Sequence, residues 1–150
     1  MSEEDLDLHH AELVALFEFW RGRNPDHPAL AGAIDPAELR RWIGNLVVMD
    51  VIEGDNFVYA YYGESFAQAF GESMVGKSIE LLPPEQRALL QQEYERASKE
   101  RLPVARRYTA EFEGGRATWE RLVLPLSTDG KTVDKLLVAA YRLGFEATAP

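Results

Sequence analysis

The chain contains no cysteine. That excludes disulfide staples, thiolate zinc sites, iron–sulfur clusters, a cysteine nucleophile and any chromophore attached through sulfur. Histidine occurs only at positions 9, 10 and 27. Positive charge is also scarce: 16 Lys and Arg stand against 25 Asp and Glu, a formal net charge of −9 over 150 residues. With no basic stripe, such a chain is a poor match for a phosphate backbone or an anionic membrane, so neither is expected as a partner. No apolar run approaches the ~20 residues that span a bilayer. The longest candidate, Leu46 to Ile52, is interrupted by Asp50. The opening MSEEDLDLHH is acidic and lacks the basic-then-apolar pattern of a secretory leader, so a soluble cytoplasmic protein is expected.

What is present is an ordinary globular composition, 46% hydrophobic and 27% charged. The length suits one domain, since domains hold roughly 100–200 residues. Residues 1–7 read as an acidic tail, followed by a helix over about 8–22 in which Leu13, Leu16, Phe17 and Trp20 share one face. Residues 23–34 read as a loop. A short helix begins at Asp35, with Pro36 at its first position and Glu38 at its third, a capping-box start. Leu39, Trp42 and Ile43 would form its apolar face, and Gly44 its end.

The period then changes. Leu46–Ile52 and Phe57–Tyr62 read as a hairpin around Gly54-Asp55. In the second strand Phe57, Tyr59 and Tyr61 would share one face, with Val58, Ala60 and Tyr62 on the other. A short helix over 64–70 stops at Gly71, and a tight turn follows around Val75-Gly76-Lys77. Pro83-Pro84 opens a longer helix to about 100, with Leu90, Tyr94 and Ala97 as its apolar stripe. Strands over 104–113, 117–126 and 132–143 complete the chain, separated by Gly114-Gly115 and Asp129-Gly130 turns. Pro125 is a misfit, because proline cannot donate to a strand ladder. Strands that do not alternate with helices argue for α+β with one antiparallel sheet.

This order of elements resembles that of PAS domains, and of a group of small bacterial PAS-like proteins in particular. The matching residues are Trp20-Arg21-Gly22-Arg23, Ile34-Asp35-Pro36, Asp50-Val51, the alternating Phe57-x-Tyr59-x-Tyr61-x-Gly63, Val75-Gly76-Lys77, and Glu120-Arg121-Leu122-x-Leu124-Pro125-Leu126-Ser127 before Asp129-Gly130. Met74-Val75-Gly76 departs from the usual turn in lacking its Asp and Thr. The resemblance implies a five-stranded antiparallel sheet of order 2-1-5-4-3, with short helices on one face enclosing a pocket. It also implies a helical extension over residues 1–44 that dimerises in PAS proteins, before a core of 45–143 and a tail of 144–150. Pro125 would then be a feature of the family's Leu-Pro-Leu pattern.

The candidate chemistry is sparse. Asp50, inside an apolar strand, would be a general base if it faced inward beside a tyrosine, as on a ketosteroid-isomerase-like cone. His9-His10 match no metal-ligand spacing, and no metal or cofactor is expected. The long helix carries no His for a haem. The short helix after the second strand carries no Cys, which flavin photosensors of this fold use there. Phe57, Tyr59, Tyr61, Phe66, Phe70, Tyr108 and Trp119 are the candidate lining of a concave sheet, and Arg121 is a candidate clamp for an acidic ligand. Ordinary core packing explains an aromatic set equally well. Several buried tyrosines, however, need partners for their hydroxyls. Leu13, Leu16, Phe17 and Trp20 are the candidate dimer face, and they could equally cover the open side of the sheet. The sequence thus reads as a non-catalytic sensory module that binds a small molecule or a signalling protein and acts as a homodimer.

Overall fold

The computed structural model describes residues 6–23, 29–30, 34–53, 56–112 and 115–147, with only the backbone at 29–30, 69–70, 110–112 and 145–147. The turns expected at Gly54-Asp55 and Gly114, and most of the 23–34 loop, lie outside these residues. Helix α1 spans Ala11–Arg23, α2 Glu64–Phe70 and α3 Pro84–Lys99. The strands are β1 (Ala29–Leu30), β2 (Leu46–Ile52), β3 (Asn56–Tyr62), β4 (Val104–Phe112), β5 (Gly115–Ser127) and β6 (Lys135–Ala147). The five long strands lie in the order β3-β2-β6-β5-β4, all antiparallel, which is the expected 2-1-5-4-3. The last strand runs on to Ala147, where the sequence reads a tail, because its end pairs with Gly115 to Thr118 of β5.

The short strand β1 was not expected. It pairs parallel to β5, with Ala29 opposite Leu126 and Leu30 opposite Ser127. Along the same edge β4 begins only at Val104, opposite Val123. Pro125 therefore falls in the gap between the two. Its carbonyl accepts from Trp20 Nε1 at 3.0 Å, so its backbone faces α1 and its missing N–H interrupts no ladder.

Both faces of the sheet are covered. On the inner face, α2, α3 and a single 3-10 turn at Ile79–Leu81 pack against Val47, Met49, Phe57, Val123, Leu136 and Val138. On the outer face, α1 lies against Leu46, Leu122, Leu124, Leu126, Leu137 and Ala139. Of the two roles open to the apolar face of α1, the chain shows the covering of its own sheet. Leu13, Leu16, Phe17 and Trp20 are all buried within the chain's own fold, the first two completely. Full burial of a large apolar side chain is worth roughly 1.5–3 kcal/mol, so withdrawing four of them to meet a second copy would cost more than an exposed contact returns.

The N-terminus of α1 is held by the outer face of β5. Glu120 is fully buried, and its carboxylate accepts from the backbone N–H of His9 at 3.0 Å and of His10 at 2.8 Å. These are donors that a helix start leaves unpaired.

Two local departures have simple causes. The helix at Pro36–Asn45 has the expected capping box, with Asp35 accepting from Ala37 N and Glu38 accepting back from Asp35 N, but it is a 3-10 helix and runs through Gly44. Three residues per turn align Leu39 with Trp42 and rotate Ile43 outward, where it is 43% exposed. In β3, Tyr61 pairs with Val48 but Tyr59 with Met49, so Ala60 is an extra, bulged residue. The bulge inverts the alternation beyond it. Tyr62 joins Phe57 and Tyr59 on the inner face, and Tyr61 moves to the outer face, where its hydroxyl donates to the Ile43 carbonyl at 2.8 Å.

Gly63, which links β3 to α2, is required by close approach. A Cβ there would lie 2.4 Å from the Gly44 carbonyl oxygen and 2.8 Å from that of Leu46, both backbone atoms that cannot turn aside. Gly63→Ala is expected to lower stability by about 3 kcal/mol or more, read as a lower urea midpoint with an unchanged slope.

Candidate ligand site

The inner face gathers tyrosines around one ion network. Leu90, Glu93, Tyr94 and Ala97 of α3 fall at i, i+3, i+4 and i+7, so Glu93 is carried onto the buried stripe. It is 3% exposed. Opposite it, Arg121 of β5 closes a two-pronged fork: Nε donates to Oε1 and Nη2 to Oε2, each at 2.9 Å. Arg106 of β4 adds a third contact, Nε to Glu93 Oε2 at 2.6 Å, from a partly exposed position. Burial opposes the Arg121 charge, but its hydrogen bonds to Glu93 outweigh this and hold the guanidinium above its usual range.

Tyr108, two residues along β4 from Arg106, lies beneath the guanidinium, with Arg121 Cζ 4.6 Å from its ring centre. Tyr59, Tyr94 and Tyr108 all lie within electrostatic reach of Arg121, and Tyr62 within that of Tyr59. Burial pushes the Tyr59 hydroxyl up to about 12 and raises those of Tyr62, Tyr94 and Tyr108 as well. All four are therefore neutral hydrogen-bond donors at ordinary pH. Their rings continue into an aromatic wall: Tyr59 to Tyr62 at 5.5 Å between centres, Tyr62 to Phe66 at 5.7 Å, and Phe66 to Trp119 at 6.4 Å.

Tyr59 is 6% and Tyr94 2% exposed, yet among the described residues neither hydroxyl has a hydrogen-bond partner, nor does that of Tyr62. No buried side-chain oxygen among these residues is both sealed and unpartnered. The Tyr59 and Tyr94 hydroxyls thus open onto space that a water-sized group can reach.

Of the residues singled out from the sequence, Tyr59, Phe66, Tyr108, Trp119 and Arg121 are brought together here. Tyr61 is not, because the Ala60 bulge turns it to the other face. The Phe70 side chain lies outside the described residues. Tyr62, Tyr94, Glu93 and Arg106 were missed. The helical stripe of α3 carried the signal for Glu93, whereas nothing at Ala60 marks the bulge that recruits Tyr62. Asp50 is corrected. Its neighbours Met49 and Val51 face inward, so it faces outward, half exposed, and accepts from Lys135 Nζ at 2.7 Å. That removes the inward carboxylate on which a general base would depend. His9 meets Asp7 at 3.1 Å, and His10 lies against the Tyr141 ring at 4.6 Å. Among the described residues no group of three or more His, Asp or Glu could hold a metal ion, and no helix is long and apolar enough to cross a membrane.

Helices closing over the inner face of a 2-1-5-4-3 antiparallel sheet define a PAS/LOV-type fold. The PAS domain family matches residues 8–140, and the chain belongs to that family. Similar solved structures include a fungal LOV-domain photoreceptor (20% identity, 87% of this chain and 91% of that one, TM-score 0.53). A sensory box sensor histidine kinase from Vibrio cholerae is also similar (21% identity, 72% and 89%, TM-score 0.50). So is a light-oxygen-voltage domain studied with a flavin analogue (15% identity, 72% and 83%, TM-score 0.50). At these identities the likeness speaks for the fold. No match is found among curated proteins.

Two tests follow from the ion network and the tyrosines. Glu93→Gln leaves two arginines facing no counter-charge and is expected to cost about 3 kcal/mol or more. Arg106→Gln removes only a partly exposed, screened contact and is expected to cost under about 1 kcal/mol. Paired urea melts measure both. For the tyrosines, a folded-state value raised above the unfolded 10 means that the native state keeps its protons longer. Stability is then fully present below pH 10 and falls as pH rises towards about 12, the value for Tyr59. Ultraviolet phenolate titration should show part of the six tyrosines ionising only in that window, together with the loss of stability.

Proposed function

We propose that the chain is a non-catalytic sensory module that binds a small molecule on the inner face of its sheet and signals by association as a homodimer. The observation that carries the reading is the pair of buried tyrosine hydroxyls at Tyr59 and Tyr94, which have no hydrogen-bond partner among the described residues. Both hydroxyls reach space open to a water-sized group, and a polar molecule bound there would complete their hydrogen bonding. Tyr59, Tyr62, Tyr94 and Tyr108 would donate to it, Phe66 and Trp119 would wall it, and Glu93 with Arg106 would position Arg121. Membership of the PAS family and likeness to sensory domains support this assignment. Signalling requires that the ligand bind two states of the chain unequally. A homodimer would have to use surface other than the four α1 side chains already buried, such as the exposed Val14 on the same helix.

Native mass spectrometry, with a denatured control, tests both halves of the proposal. The expected spectrum is twice the chain mass plus an adduct that disappears on denaturation. A bare monomer at micromolar concentration would overturn the dimer and count against a tightly held ligand.

A further inference from the structure

We infer that the chain carries a second site, separate from the tyrosine cluster, for one small phosphoryl-bearing anion. It lies where the end of α3 meets the turn between β5 and β6. A cleft of about 250 Å³ opens there, lined by Val51 and Val133 and by the basic residues Lys99, Arg101 and Lys131. Acids outnumber cations in this chain, and Arg21, Arg41, Lys77, Arg107 and Lys135 each meet a carboxylate. Among the described residues Arg101 and Lys131 meet none. Arg101 donates from Nη1 to the Lys131 carbonyl at 2.6 Å, and its other guanidinium N–H groups have no acceptor among these residues.

Lys99 meets Glu95, one helical turn back, at 3.6 Å. Glu95 and the end of α3, with its partial charge of about −0.5, thus face three cations, and more than one positive charge is left over. The acids of the neighbouring turn do not cancel it. Asp129 accepts from the backbone of Lys131 and Thr132, Asp134 accepts from that of Thr128, and neither lines the cleft. The backbone adds an independent sign. Glu100 caps α3, and Arg101 follows it at φ 60°. That left-handed position usually takes glycine, because a Cβ is strained there. An arginine kept in such a conformation at the edge of a cleft fits strain retained for binding. The surplus suits a phosphoryl group, with about −1.5 to −2 charges near neutral pH and oxygens that accept from guanidinium and ammonium together. A monocarboxylate leaves part of it unmet. The cleft is smaller than the ~300–1,000 Å³ of drug-sized sites, and an extended polyanion would meet the −9 of the whole chain.

Calorimetric titration of the full chain with inorganic phosphate, glycerol 3-phosphate and acetate, at one ionic strength set by sodium chloride, tests the assignment. A phosphoryl compound is expected to bind saturably, and acetate about tenfold more weakly or not at all. Arg101→Gly removes the guanidinium and relieves the strained φ together. It is expected to weaken phosphoryl binding about tenfold or more at unchanged or higher melting temperature, whereas a merely structural arginine would lower that temperature and leave binding alone. Lys131→Gln alters an exposed side chain and is expected to weaken binding several-fold at unchanged melting temperature. Tighter binding of glycerol 3-phosphate would identify a small monoester and equal binding the free ion, and either supports the site. Acetate binding as well as phosphate would overturn the phosphoryl assignment. Full affinity in both variants, or no saturation by ~10 mM of either phosphoryl compound, would overturn the site. The ligand reading of the inner face stands or falls separately, by the native spectrum.

Discussion

A carboxylate and a guanidinium removed from water must satisfy each other nearly completely, or the fold that encloses them is lost. In this chain that requirement fixes α3 to the sheet. Glu93 stands on the buried stripe of the helix, Arg121 on the inner face of β5, and the fork between them admits one geometry. Apolar packing around it, from Leu90, Tyr94 and Ala97 against Val104 and Val123, supplies adhesion but little direction. The fork supplies direction. It sets the rotation of α3 that brings the Tyr94 ring against Phe57, and it holds the guanidinium over the Tyr108 ring. The tyrosine cluster owes its arrangement to that one buried ion pair.

The second organising fact is that β5 is buried on both faces. Its inward residues are Trp119, Arg121 and Val123, and its outward ones Glu120, Leu122, Leu124 and Leu126. A sheet of this kind often leaves one face to water. Here α1 and the 3-10 helix close the outer face, and their contact is as apolar as the inner core. Polar groups within it are individually matched: Trp20 to the Pro125 carbonyl, Trp42 to the Glu12 carbonyl, and Glu120 to two backbone amides.

Much of this architecture was legible in the sequence, for identifiable reasons. The change from helical spacing to strict alternation at Leu46, and the glycines and prolines between segments, mark the element order, and that order implies the sheet. Tyr59, Tyr108, Trp119 and Arg121 were recognisable as residues of alternating strands, and Phe66 as an aromatic of the short helix that follows β3. Other features left no such trace. A bulge at Ala60 needs no special residue, so the exchange of Tyr61 for Tyr62 was invisible. A 3-10 and an α helix share their capping signals, so Ile43 was misplaced. Whether α1 covers its own sheet or a second copy depends on the path of the intervening loop, which periodicity does not encode. Glu93 could have been found, since a lone acid on an apolar helical stripe demands a buried partner.

Glu120 and Arg121 are consecutive residues pointing to opposite sides of one strand. The first holds the backbone at the start of α1, and the second holds α3 beside the tyrosines. A planar peptide unit is all that separates them. A twist of β5 that moves one carries the other with it in the opposite sense, so the two layers of helices are geared to each other through a single step of the chain.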